Sequence, residues 1–132
     1  GSVKDDTGTV NKPIARHKTD RKKMAIVEGG RDAITHYTVI KRYNGYTYMA
    51  FQLETGRTHQ IRVHMASIGH PIIGDPLYGP AKDKWKLQGQ CLHAGELELT
   101  HPVTGERMLF EAPLPEYFEK VLQKLRNQYG QV

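Results

Sequence analysis

The chain has 132 residues, enough for one domain with a hydrophobic core and too few for two ordinary ones. A hydrophobic fraction of 38% with no apolar run of roughly 18 residues excludes a membrane-spanning helix, and one cysteine, Cys91, excludes an internal disulfide framework or a cysteine-based zinc cluster and points to the cytoplasm. A net charge of +5 favours polyanionic partners, through phosphate contacts and counterion release.

In chain order, Gly1 and Ser2 read as the remnant of an expression tag, and residues 3–132 read as sequence from within a larger domain. Residues 4–23 are polar, are broken by Gly8 and Pro13, and carry a basic cluster of Arg16, His17, Lys18, Arg21, Lys22 and Lys23. They read as an extended arm or loop. Pro13, Ile14, Met24 and Ile26 bracket the cluster with apolar anchors, which favours an anchored phosphate-binding surface for RNA or DNA over a freely solvated arm. Residues 33–42 and 46–55 are rich in Thr, Tyr, Val, Ile and Phe, with Asn44 and Gly45 between them, and predict a β-hairpin.

After Gly56 the spacing becomes helical: Ile61, Met65 and Ile68 fall at i, i+4 and i+7, Thr58 is the expected N-cap and Gly69 the stop. On that helix Arg62 lies roughly 100° from the centre of the apolar stripe. It is therefore expected on the border of a cleft, with Ala66 leaving room beside it. Residues 70–90 hold Pro71, Gly74, Pro76, Gly79 and Pro80, then Lys82, Lys84, Trp85 and Lys86, and read as irregular surface structure. Residues 91–100 and 107–112 predict a second hairpin joined through 101–106. Beyond Pro115, Phe118, Val121, Leu122 and Leu125 recur at helical spacing and predict a closing amphipathic helix.

Several chemistries can be weighed from spacing alone. His59 and His64 are five residues apart, roughly 140° around a helix, so they do not share a face as zinc-binding i, i+4 pairs do. The remaining histidines are scattered, and no metal site is expected. There is no strand-Gly-x-Ser-x-Gly-helix pattern, and Cys91 begins an apolar strand where a thiol is inert. Asp75 precedes a proline in a glycine-flanked turn, which predicts a carboxylate that caps backbone amides. A polar helix start explains Thr58 and an Arg57 paired to Glu54. It does not explain a second arginine, Arg62, together with His59 and Gln60, so Arg57, Thr58, His59 and Gln60 are read as RNA-facing and Arg62 as a placed charge.

At these residues the sequence resembles the large-subunit ribosomal pseudouridine synthases of the RluA/RluD type. The resemblance is carried by GRTHQIRVHMASIGHPIIGDPLYG at 56–79, by Pro13, Ile14, Arg16, His17, Asp20, Arg21 and Met24, by Thr35-His36-Tyr37, by Leu92-His93-Ala94, and by His101-Pro102 with Thr104-Gly105. It implies an α+β fold, a mainly antiparallel mixed sheet with packed helices, forming the C-terminal half of the catalytic core. It also implies isomerisation of uridine in RNA, with 23S rRNA as the expected partner and with no cofactor, metal or membrane. In such enzymes an essential Asp pairs with an Arg and a Tyr stacks on the base. Arg62 matches that Arg, whereas no Arg-Leu-Asp segment occurs in these 132 residues. The resemblance thus implies that the Asp and the Tyr lie upstream in a missing N-terminal half and that this fragment alone is inactive. It further implies an apolar flank or sheet edge left open, so that any homo-oligomer reflects truncation. A non-catalytic RNA-binding module and a metal-dependent hydrolase remain the alternative readings.

Overall fold

The computed structural model describes residues 1–80, 85, 87, 89–100 and 107–129. The expected positions Lys82, Lys84, Lys86 and the turn at 101–106 lie outside the described residues. Among the described residues, seven strands and two α-helices follow one another: β1 (Thr7–Asn11), β2 (Ile14–Arg16), β3 (Met24–Ile26), β4 (Ile34–Tyr43), β5 (Tyr46–Leu53), α1 (Gln60–Ser67), β6 (Glu96–Thr100), β7 (Arg107–Glu111) and α2 (Glu116–Lys124). A π-helical turn, Leu125–Tyr129, extends α2.

The class is α+β, and every described strand pairing is antiparallel, in three small sheets ordered β1-β4-β5, β2-β3 and β6-β7. The β4–β5 hairpin turns at Asn44 and Gly45, where Gly45 supplies the left-handed φ of 85° that a side chain would resist. A bulge between Val39 and Lys41 breaks the register and leaves Ile40 55% exposed.

The polar stretch 4–23 is more ordered than an arm. Its TGTVN segment pairs along β4 from Thr7 with Thr38 to Asn11 with Ile34. Its basic cluster sits on the hairpin formed by β2 and β3, with Ile14 opposite Ile26. β1 is set by its partner: β4, rich in β-branched and aromatic residues, templates the weakly strand-forming chain beside it, whereas β2 and β3 pair with each other.

Two apolar clusters hold the elements together. One joins Ile14, Ala33 and Val63 with Met24 and Tyr78 packed against them; the other joins Tyr43, Val121 and Leu125 with Tyr46, Tyr48, Ile73, Trp85, Leu87 and Cys91. α2 presents Phe118, Val121 and Leu122 inward, as its periodicity predicts, and Glu116 and Lys120 pair outside at 3.2 Å. α1 ends where predicted, with Gly69 at φ 85° and bonds from Gly69 N to Ala66 O (3.0 Å) and His70 N to Met65 O (2.9 Å). Its start differs from expectation: the N-cap is His59 in a left-handed conformation, φ 57° and ψ 23°, not Thr58. The strand expected from Cys91 begins only at Glu96. Cys91 instead fixes a loop through Cys91 N to Ile73 O (2.7 Å), and burial pushes its thiol up to about 11.

Candidate active site

α1 is buried on nearly every side. Gln60, Arg62, Val63, His64 and Met65 are all interior, so the apolar stripe read from Ile61, Met65 and Ile68 is only part of its packed surface. Arg62 is accordingly not on a border: it is 8% exposed and lies inside the fold.

Its charge is met by Asp75. Arg62 Nε donates to Asp75 Oδ2 and Nη2 to Oδ1, each at 2.9 Å, with the two side chains 9% and 0% exposed. The expectation that Arg62 waits for an acid from elsewhere is corrected to this extent: one edge of the guanidinium is already filled from within the chain. Asp75 also accepts from Leu77 N (3.0 Å) and Tyr78 N (3.1 Å), the amide capping predicted from its glycine-flanked turn. Burial alone would push its carboxyl up, but the Arg62 bonds and the Tyr78 and Leu77 amides outweigh that and hold it below the ordinary carboxylate range. Those bonds raise Arg62 in turn, against the opposing effect of burial. The loop needs its glycines to do this. Gly74 has φ 76°, and a Cβ on Gly79 would stand 2.5 Å from the Asp75 carbonyl oxygen.

Tyr78 completes the cluster. Its ring lies under the guanidinium, with Arg62 Cζ 5.1 Å from the ring centroid, and its hydroxyl accepts from Met24 N at 2.8 Å. The same oxygen is 2.8 Å from His59 Nδ1. With Met24 N–H already directed at the phenol oxygen, the hydroxyl proton is the one available to His59 Nδ1. Burial and the neighbouring Arg62 and Arg16 charges push His59 below its ordinary value, against Asp75, which favours its neutral, accepting form. Burial also raises the Tyr78 phenol, so it remains a donor. Two of the five guanidinium N–H groups are used, and Nη1 makes no hydrogen bond with any described residue.

Behind this cluster runs a buried polar chain. Thr55 Oγ1 (2.8 Å) and Arg57 N (2.9 Å) donate to Gln60 Oε1; Gln60 Nε2 donates to Ile34 O and Thr35 Oγ1, both at 3.0 Å. Thr35 then bonds His64 Nδ1 (2.8 Å), and His64 Nε2 donates to Lys12 O (2.9 Å), which fixes the neutral tautomer. Burial lowers His64, in the same sense. Gln60, expected on the RNA surface, is 3% exposed and wholly engaged here; this corrects that expectation, because its amide closes the β4–α1 junction instead.

The other expected RNA contacts divide. Arg16, Lys18, Arg21 and Lys22 are exposed on the β2–β3 hairpin and Lys23 is half-buried there. His17 serves the hairpin's own turn, accepting from Asp20 N at 2.9 Å, and Arg16 Nη1 donates to Arg21 O at 2.7 Å. Thr58 is exposed, Arg57 is held by Asp32 O at 2.8 Å, and His59 is held by Tyr78. Surface hollows along α2 and beside the β4 bulge take in none of the Arg62 cluster. Tyr78 was not singled out from sequence, although its spacing of three from Asp75 is what lets its amide cap that carboxylate.

Comparison with known proteins is decisive on kinship. The family model described as RNA pseudouridylate synthase matches residues 2–67. The chain belongs to this family. Relatives include an uncharacterised RNA pseudouridine synthase of Synechocystis sp., 51% identical over 97% of this chain and 40% of its own length, and one of Bacillus subtilis, 50% identical over 96% and 42%. The ribosomal large subunit pseudouridine synthase D of Pseudomonas aeruginosa is 48% identical over 91% of this chain and 41% of its own. The chain thus spans about 40% of the length of these pseudouridine synthases. Human RNA pseudouridylate synthase domain containing 1 shares the fold, with a TM-score of 0.74 at 24% identity over 98% of this chain and 63% of that one.

Proposed function

We propose that this chain is the part of an RNA pseudouridine synthase that carries the active-site guanidinium and a phosphate-gripping hairpin, and that the enzyme isomerises uridine in structured RNA. Ribosomal RNA, 23S rRNA, is the proposed substrate and the cytoplasm the proposed location. In support, relatives from Pseudomonas aeruginosa and Nitrosomonas europaea bear the name ribosomal large subunit pseudouridine synthase D. The reaction consumes no oxidant or reductant. The N1–C1′ bond breaks, a C5–C1′ bond forms, the C5 proton leaves and N1 gains a proton.

The observation that carries the reading is the state of Arg62: one edge locked bidentate to Asp75, a face on Tyr78, and Nη1 without a hydrogen bond to any described residue. A guanidinium held in this way is pre-oriented to receive a second carboxylate on its remaining edge and to keep that acid ionised. The acid, in this reading, is the essential Asp of a segment outside these 132 residues. Arg16, Lys18, Arg21 and Lys22 supply sequence-independent phosphate attraction, and the target uridine is swung out of its stack to reach the site.

Release of tritium from RNA labelled at uridine C5 tests this directly. The 132-residue chain alone is expected to release none, whereas a longer chain in which an Arg-Leu-Asp segment precedes it releases tritium and loses that activity with Arg62→Met. Turnover by the 132 residues alone, or full turnover by the Arg62→Met enzyme, would refute the assignment.

A further inference from the structure

We infer that Tyr78 is a positioning residue that fastens the basic β2–β3 hairpin to the Arg62 guanidinium, so that the phosphate-binding surface and the uridine-facing charge keep one fixed spacing. The inference rests on the reading of that hairpin as an RNA surface. Three contacts converge on this one side chain: the ring beneath Arg62, the hydroxyl accepting from Met24 N at the start of β3, and the hydroxyl reaching His59 Nδ1. Met24 and Tyr78 are 54 residues apart in the chain and both pack on the Ile14–Ala33–Val63 cluster. Among the described residues, no other side-chain hydrogen bond ties β3 to the 70–79 loop.

His59 supplies the second, independent observation. It is the only non-glycine described residue with positive φ, a strained conformation that the surrounding structure must enforce. Its carbonyl accepts the first helical bond, from Val63 N at 2.9 Å, and its ring is pinned by the Tyr78 hydroxyl, with ring centroids 5.6 Å apart and edge-on. His59, expected as an RNA contact, thereby becomes the acceptor that orients the phenol. The charged groups that act on this pair are Arg62 and Asp75 from α1 and the 70–79 loop, and Arg16 and Asp20 from the hairpin.

The test uses the 132-residue chain labelled for NMR and a uridine-loop RNA stem-loop as probe. Tyr78→Phe keeps the ring and removes the hydroxyl. The Met24 amide is expected to exchange roughly tenfold faster, His59 to titrate nearer its ordinary value, and stem-loop affinity to fall several-fold, while the Arg62 Nε–H signal stays in place. Tyr78→Leu, which removes the ring too, is expected to move that Nε–H signal as well. Unchanged Met24 exchange and His59 titration in Tyr78→Phe would overturn the inference, as would faster exchange spread evenly over β4, which marks general loosening. Faster Met24 exchange with unchanged stem-loop affinity would overturn it too. A wild-type chain that fails to bind the stem-loop at all would sink the RNA reading, and the exchange and titration results would still decide whether Tyr78 couples hairpin to guanidinium.

Discussion

The two α-helices are of similar length and are built on opposite principles. α2 buries Phe118, Val121 and Leu122 and turns its charges to water, so it is held by burial of apolar area, worth about 1.5–3 kcal/mol for each large side chain. α1 buries Gln60, Arg62 and His64 beside Val63 and Met65, and each polar group has a directed partner on another element. A helix like α2 can slide or be repacked at modest cost, since apolar contacts are non-directional. A helix like α1 has one seat, and that is what a placed guanidinium requires.

The contrast can be broken at its strongest point by Asp75→Ala, which strands a buried cation and uncaps the Leu77 and Tyr78 amides. A loss of about 3–5 kcal/mol is expected in urea unfolding; a loss below about 1 kcal/mol would mean that the pair is solvated and α1 is not anchored by it. Leu122→Ala should cost somewhat less, about 2–4 kcal/mol, by leaving a cavity beneath α2. It should also leave the Arg62 Nε–H resonance where it was, and a shift of that resonance would show that the two helices are not independent.

The smallest effect is on acid stability. His64 is lowered by burial, and His59 and His70 are lowered too, burial being the leading cause in each. All three are neutral in folded and unfolded chains above the ordinary value of about 6.5. Below it the unfolded chain takes up protons first, so stability is flat at higher pH and declines as pH falls from about 6.5 towards the lowered folded values. Denaturant midpoints measured from about pH 8 to about pH 5 check this. A midpoint that stays level throughout would refute the neutral, hydrogen-bonded state assigned to His64.

The same contrast explains what could be read from sequence. α2 and the β4–β5 hairpin were legible because apolar periodicity and an Asn-Gly turn are local signals, and both elements form as read. β1 was not, because a short segment holding Gly8 owes its extended form to β4, more than twenty residues on; nor were β2 and β3, three-residue strands too short to show an alternation and flanked by Pro13 and a basic turn. Arg62 was legible as a placed charge but its burial was not, since a helix packed on polar neighbours leaves no clean stripe. Asp75 was legible as a turn cap, which accounts for its bonds to Leu77 and Tyr78 and says nothing of Arg62, 13 residues away. Gln60 was misread because a glutamine beside histidine and arginine looks the same whether it greets a ligand or seals a junction.

The bond from His64 to the Lys12 carbonyl spans 52 residues, and those from Gln60 to β4 span 25 and 26. An eight-residue helix does not persist by itself in water, so α1 has little reason to exist before the amino-terminal strands have closed around it. Its assembly is therefore expected late in folding, once the loops that separate these partners have closed. Unfolding should release α1, the start of β4 and the Lys12 backbone as one block.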